Sequence, residues 1–180
     1  MKNPILMLFL VTAIAGLMVG FANHITLPQI LLHAEGAVQE NLRVVYPQAT
    51  RFEDATRNGS DTVVYLAIRE TEVLGHVIIA YGMGYINDVQ VLVGINSDGV
   101  IDRVVVGAHS ETPGIGTRIE EPDFLDQFIG MTGPIRAVFT EPGEGEIASI
   151  ASVTVTVDAA VIGVNNALVY FNENIAGGSS

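Results

Sequence analysis

Two threonines, Thr154 and Thr156, stand where an anion could bind. They lie between an apparent strand and a helix that is expected to begin at Asp158. Unpaired N–H groups and the positive end of the dipole attract anions at a helix N-terminus, so a phosphate-bearing ligand would suit this place. The alternating sequence from Val153 to Val157 is also typical of the half-buried end of a strand. The residues alone favour this second interpretation.

A loop rich in proline and glycine is the second candidate region. Residues 108–118 read AHSETPGIGTR, and a Gly-Met-Gly segment begins earlier, at Gly82. The segment from Gly114 to Gly116 is not a dinucleotide-binding motif, because Ile119 stands where that motif has its third glycine. We expect the glycines of both regions to let the backbone approach a ligand ring or a neighbouring strand closely.

Residue types exclude or disfavour several other kinds of site. The absence of cysteine excludes disulfides, thiolate metal sites and thiol catalysis. The only lysine, Lys2, leaves the body without a P-loop or a Schiff-base lysine. No metal site is expected, because no two histidines have i,i+4 spacing among His24, His33, His76 and His109. The sequence His-Ser-Glu at 109–111 is interpreted as a polar loop rather than a hydrolase triad.

Composition indicates one folded domain without affinity for nucleic acid. The chain has 180 residues, 49% of them apolar and 16% charged, which is not the composition of a disordered segment. Its formal net charge is -12, and its arginines are scattered singly. Because phosphate-backbone binding needs a clustered basic face, nucleic acid is not expected as a partner.

The N-terminal segment is expected to cross a membrane once. Residues 4–22 carry no charge, and as a helix this run would span about 28 Å, close to the thickness of a bilayer core. A cleaved signal peptide ending at Gly-Phe-Ala 20–22 is the alternative, but the run is longer than a usual signal core. With Lys2 before the span and no acid before Glu35, we expect a cytoplasmic N-terminus and a body outside the cytoplasm.

Between this span and the body, the pattern predicts a connecting helix. Thr26 followed by Gln29 has the form of a capping box, and apolar residues then recur at helical spacing as far as residue 47. Residues 48–61 form a polar connection. Within it Asn58 begins either a glycosylation sequon or, as we favour, a plain Asn-Gly turn.

The body is predicted to be an antiparallel sheet followed by helices. Strand-like runs with short turns predict strands over residues 62–69, 73–81, 86–95 and 100–107, and later over 135–140 and 146–155. A short helix is expected between Pro122 and Gly130. The last helix is predicted to be capped by Asp158, with apolar positions Val161, Val164, Leu168 and Phe171. Strands followed by helices predict the α+β class.

Four segments together resemble a known family. They are residues 22–30, residues 82–99, the Ser-Glu-Thr-Pro-Gly-Ile-Gly loop at 110–116 and Phe-Ile-Gly at 128–130. The combination resembles the G subunit of the Rnf-type ion-translocating electron transport complex, to which the C subunit of the Na+-translocating NADH:quinone oxidoreductase is similar. The resemblance implies a transmembrane anchor at 1–25, an amphipathic connecting helix at 26–47 and an extracytoplasmic FMN-binding domain at 48–180.

In this family FMN is joined through its phosphate to a threonine in a Ser-Gly-Ala-Thr-x-Thr/Ser motif. Residues 151–156 read Ala-Ser-Val-Thr-Val-Thr, so the resemblance implies Thr154 as the acceptor, with Thr156 retained and the first three positions changed. By the same resemblance, the ring would contact residues of the proline- and glycine-rich loop and one residue near Gly82. These are Glu111, Thr112, Pro113 and Gly114, with Gly116 and Tyr85 as further neighbours.

The resemblance implies a redox subunit that relays electrons within a complex coupled to Na+ or H+ translocation and has no independent catalysis. Its expected partners are membrane and peripheral redox subunits, membrane lipid, and a flavin transferase for maturation. The alternative is an anchored extracytoplasmic flavin-binding sensor or a flavin-free interaction module. Covalent attachment would keep the cofactor on a domain that faces bulk medium.

Overall fold

The computed structural model describes residues 3–57 and 59–177, apart from the side chains of residues 28–34. The alternatives for Asn58 therefore lie outside the described residues. The chain divides into two compact units, Met1–Gln39 and Glu40–Ser180. The last turns of the first helix thus belong to the second unit.

Helix α1 extends from Pro4 to Val45. Its segment Pro4–Leu27 is apolar, long enough to cross a membrane and not buried by other parts of the protein. The predicted helix start at Thr26 is wrong. Thr26 lies inside α1, where its hydroxyl donates a hydrogen bond to the carbonyl of Ala22 instead of capping a new helix.

The second unit contains a five-stranded antiparallel sheet in sequential order, which confirms the predicted antiparallel sheet and the α+β class. Its strands are β1 (Arg51–Asp54), β2 (Val63–Arg69), β3 (Glu72–Met83), β4 (Asp88–Ile95) and β5 (Ile101–Val106). The predicted strands agree with β2 to β5 to within a few residues. Strand β1 was missed because it is a mostly exposed, polar edge strand of four residues.

Helices and two further strands follow the sheet. They are a 3₁₀ helix at Gly116–Glu120, α2 (Pro122–Leu125), a second 3₁₀ helix at Asp126–Phe128, β6 (Arg136–Val138), β7 (Glu146–Ala148), α3 (Thr154–Phe171) and a π-helical turn at Asn172–Ala176. Strands β6 and β7 pair in parallel. Helix α2 with its flanking 3₁₀ turns stands where a short helix was expected.

The start of α3 corrects two predictions. Strand β7 ends at Ala148 rather than Val155, and α3 begins at Thr154 rather than at Asp158. Val153 and Val157 are four residues apart. This spacing puts them on one face of a strand, where every second residue points the same way, and equally on one face of a helix. Both are buried, and the Val157 N–H donates to the Val153 carbonyl at 3.0 Å, as in a helix.

Helix α3 packs on β3 and β4, and two glycines set the distance of approach. A Cβ at Gly82 would lie 1.9 Å from the Ala159 carbonyl oxygen, and one at Gly163 would lie 2.7 Å from Cγ2 of Val91. The predicted core positions of α3 are all buried, including Phe171. This contact fixes the N-terminal turn of α3 beside the end of β3.

The end of α1 covers the other face of the same strands. Val45 and Tyr46 pack over Gly94, where a Cβ would come within 2.4 Å of Val45 Cγ1. The Tyr46 hydroxyl donates to Asp102 Oδ2 at 2.8 Å. Burial, this hydrogen bond and the charge of Asp102 all raise the pKa of Tyr46, so the hydroxyl stays a donor.

We expect Gly82→Ala to destabilise the second unit by about 1–3 kcal/mol, because the added methyl group must push α3 away from β3. The measurement is urea unfolding of the detergent-solubilised full chain, followed by far-UV circular dichroism. Gly143→Ala is the control, since its new Cβ would meet nothing closer than 3.4 Å. Equal stability of the two variants would contradict the close contact.

Candidate functional site

A cavity of about 380 Å³ lies where the β3–β4 turn, the loop after β5 and the N-terminal turn of α3 meet. This volume is within the range of small-molecule sites. The described residues that line it include no lysine or arginine. They are Tyr85, Glu111, Thr112, Ile115, Gly116, Ser152, Val153, Thr154, Val155 and Thr156.

Glu111 is the buried polar centre of this region, with only 6% of its surface exposed. Its Oε1 accepts hydrogen bonds from the backbone N–H of Tyr85 at 2.9 Å and of Ile86 at 3.4 Å. Its Oε2 accepts a hydrogen bond from the Thr156 hydroxyl at 2.6 Å. One carboxylate therefore joins the β3–β4 turn, the loop after β5 and α3.

The hydrogen bonds keep this carboxylate ionised. Burial by itself would raise the pKa of Glu111, but hydrogen bonds from Thr156, Ile86 and Tyr85 bring that pKa below its usual range. His109 is also fixed in place. Its Nδ1 accepts from the Glu111 backbone N–H at 3.2 Å, and its Nε2 lies 2.6 Å from Glu120 Oε1.

Two glycines make room for Glu111. A Cβ at Gly84 would lie 2.6 Å from Glu111 Oε1, and one at Gly116 would lie 2.5 Å from Glu111 Cβ. The glycines were expected to let the backbone approach a ligand ring or a neighbouring strand. At Gly84 and Gly116 the atoms that the backbone approaches closely belong to the protein itself. Gly114 differs: its φ of +76° requires a left-handed backbone, and no described atom lies within 4 Å of its missing Cβ.

The N-terminal turn of α3 carries both threonines, which have opposite environments. Thr154 is exposed at the cavity, whereas Thr156 is only 4% exposed. No described side chain caps this helix end, so the first N–H groups are left for another acceptor. Ser152, just before the helix, has a φ of +72°, which is unusual for a residue other than glycine.

The structure brings most of the predicted site residues together. Six line the cavity: Tyr85, Glu111, Thr112, Gly116, Thr154 and Thr156. Pro113 and Gly114 do not line it. They lie in a tight turn where the Thr112 carbonyl accepts from the N–H of Gly116 at 2.8 Å. The roles assigned to all eight residues remain predictions.

Four residues of the cavity wall were not predicted from the sequence, namely Ile115, Ser152, Val153 and Val155. Three of them lie within two residues of Thr154, so a helix start predicted at Thr154 would have indicated them. Within residues 3–57 and 59–177, no three His, Asp or Glu side chains are placed to hold a metal ion.

Comparison with known proteins identifies the family. Residues 84–169, which include all lining residues, match the FMN-binding domain family. The G subunit of the Na(+)-translocating ferredoxin:NAD(+) oxidoreductase complex of Acetobacterium woodii is 30% identical, over 93% of this chain and 90% of that protein. The chain belongs to the family of G subunits of ion-translocating oxidoreductase complexes. The resemblance seen in the sequence is confirmed.

A second relative agrees with membership of the G-subunit family, and a solved structure shares the fold. The G subunit of the ion-translocating oxidoreductase complex of Methanosarcina acetivorans is 28% identical over 92% of both chains. The crystal structure of the C subunit of Na(+)-translocating NADH-quinone reductase from Parabacteroides distasonis matches with a TM-score of 0.53 and 20% identity. That match covers 62% of this chain and 61% of the other, and it supports the fold.

The positive φ of Ser152 leads to a prediction. We expect Ser152→Gly to stabilise the protein by about 1 kcal/mol, since glycine adopts a positive φ without the Cβ penalty. Chemical unfolding of the full chain measures this change.

Glu70→Gly is the matched control, because Glu70 has a φ of 57° in the turn between β2 and β3, outside the cavity lining. It should stabilise by a similar amount. A loss of stability in Ser152→Gly would contradict the strain at this position.

Proposed function

We propose that this chain is the flavin-carrying, electron-relaying subunit of an Rnf-type complex that couples electron transfer to ion translocation. The observation that carries the proposal is an exposed threonine, Thr154, at the N-terminal turn of α3 and beside a cavity. Family membership supports it, since this cavity lies within the region that matches the FMN-binding domain.

The cavity suits FMN in size and chemistry. Its wall includes the apolar side chains of Ile115, Val153 and Val155 and the ring of Tyr85, surfaces on which a flat flavin ring would pack. Because no lysine or arginine is among the described residues that line the cavity, the free N–H groups at the start of α3 would bind the phosphate. FMN, when bound, supplies the electron-transfer chemistry.

We propose Thr154 as the site of covalent attachment. Its hydroxyl oxygen would form a bond to the flavin phosphate of a flavin dinucleotide, while the pyrophosphate bond breaks. A nucleoside monophosphate leaves, and the hydroxyl proton is released. A flavin transferase would catalyse this step. Exposure of Thr154 gives such an enzyme access, whereas Thr156 is buried.

We expect Thr154→Ala to carry no covalent flavin while it still folds, because Thr154 is exposed and makes no described packing contact in the core. The measurement is flavin fluorescence in a denaturing gel after co-expression with a flavin transferase. Only a covalently held flavin survives denaturation.

Two conservative variants serve as controls. Thr156→Ser keeps the hydroxyl that donates to Glu111 and should retain covalent flavin. Thr154→Ser offers an acceptor of the same type. Fluorescence retained in Thr154→Ala would contradict the assignment, and a flavin-free parent chain would favour an interaction module.

The proposal includes an N-in, C-out topology for a membrane-associated chain. The segment Pro4–Leu27 is apolar and unburied, which supports a membrane anchor. The only lysine, Lys2, precedes this segment, and all 20 acidic residues follow it. Redox subunits of the complex would then meet the flavin domain outside the cytoplasm.

The absence of native cysteine permits a direct test of topology. We expect a membrane-impermeant maleimide to label Ser97→Cys in intact cells, because Ser97 is exposed in the β4–β5 turn. Asn3→Cys should be labelled only after permeabilisation. The reverse pattern would contradict the topology, and an intact mass showing cleavage near Asn23 would replace the anchor with a signal peptide.

A further inference from the structure

We propose, on the basis of covalent attachment at Thr154, that Glu111 is a positioning residue that selects this threonine over Thr156. Glu111 accepts the Thr156 hydroxyl at 2.6 Å and thereby holds the first turn of α3 in one rotational setting. In that setting Thr156 is closed to the transferase and Thr154 is presented to it.

The geometry of the helix makes one contact sufficient for this selection. Successive residues of an α-helix are rotated by about 100°, so residues two positions apart point about 200° from each other. Because Thr156 points to Glu111 on the protein side, Thr154 must point outward. The observed exposures agree, with Thr156 4% exposed and Thr154 in the exposed class.

Glu111 can fix the orientation of the first turn of α3 because its own side chain is fixed in position. Its other oxygen accepts the backbone N–H groups of Tyr85 and Ile86, and Gly84 and Gly116 fit closely around it. The carboxylate therefore cannot follow a rotating helix. Loss of the Thr156 bond would leave a buried carboxylate oxygen without a partner, which disfavours other settings of the turn.

A hydroxyl that donates to a carboxylate could also be regarded as an activated nucleophile. Burial argues against that role for Thr156, because an incoming phosphorus atom needs a free approach to the hydroxyl oxygen. The same carboxylate thus removes one threonine from reaction and leaves the other available. This role differs from the ring contact that the family resemblance implies for Glu111.

The decisive experiment uses the full chain co-expressed with a flavin transferase, with flavin located by peptide mass spectrometry. Thr154→Ala alone should remain unmodified. The double variant Thr154→Ala/Glu111→Ala should carry flavin at Thr156, because the released turn can expose that hydroxyl. A merely structural role of Glu111 would lower the folded yield but would not move the flavin from one threonine to the other.

Single variants measure the same selection as a rate. With limiting transferase, Glu111→Ala and Thr156→Val should slow modification of Thr154 by about ten- to a hundredfold, as expected for a misplaced acceptor. Glu111→Gln and Thr156→Ser should stay near the parent rate, since both retain hydrogen-bonding groups at the contact. Glu141→Ala removes an exposed carboxylate outside the cavity lining and is the control.

The outcomes separate this inference from the proposed function. Parent-like rates in Thr156→Val, together with an unmodified double variant that folds, would overturn the role of Glu111 and leave attachment at Thr154 intact. If Glu111→Ala does not fold, Thr156→Val still removes the bond from the helix side. A parent chain without flavin on Thr154 would refute the attachment itself, and the selection with it.

Discussion

The candidate site depends on one buried carboxylate with three hydrogen-bond donors. Glu111 connects a turn, a loop and a helix end that are far apart in the chain, with Tyr85 26 residues away and Thr156 45 residues away. A buried charge is tolerated only when its acceptor sites are satisfied. That requirement forces the three segments into a single arrangement, and the cavity is the space left between them.

The rest of the fold brings these donors to the carboxylate. The antiparallel meander puts the β3–β4 turn at one end of the sheet, and Gly82 allows α3 to lie so close to β3 that its first turn reaches the same end. On the other face, Val45 and Tyr46 fill the space above Gly94. The central strands are thus covered on both sides beside the cavity.

Much of this arrangement could be predicted from the sequence, for identifiable reasons. Strands β2 to β5 were evident because short polar turns such as the one at Asn96 separate apolar runs. Strand β1 was not, because an edge strand with one half-buried apolar residue, Phe52, has little pattern to detect. The start of α3 was misplaced because Val153 and Val157 satisfy the periods of a strand and of a helix equally.

Predicting the site from sequence had a similar limit. Thr154 as the proposed acceptor, and most of the cavity residues, were predicted from the resemblance to the G-subunit family. Comparison with family members confirms membership of that family. The resemblance could not show that Glu111 bonds to Thr156, because a hydrogen bond between distant residues leaves no mark in local spacing. For the same reason, the unusual backbone at Ser152 was invisible until α3 had a defined start.

The distance along the chain between Tyr85, Glu111 and the start of α3 also has a consequence for biosynthesis. The cavity cannot exist until α3, which follows the whole sheet in the chain, has been made and has packed on that sheet. A nascent or partly folded chain offers the same threonines without their surroundings. A transferase that requires the formed cavity would modify only folded chains. The presence of the cofactor would then show that a chain had folded before it joined the complex.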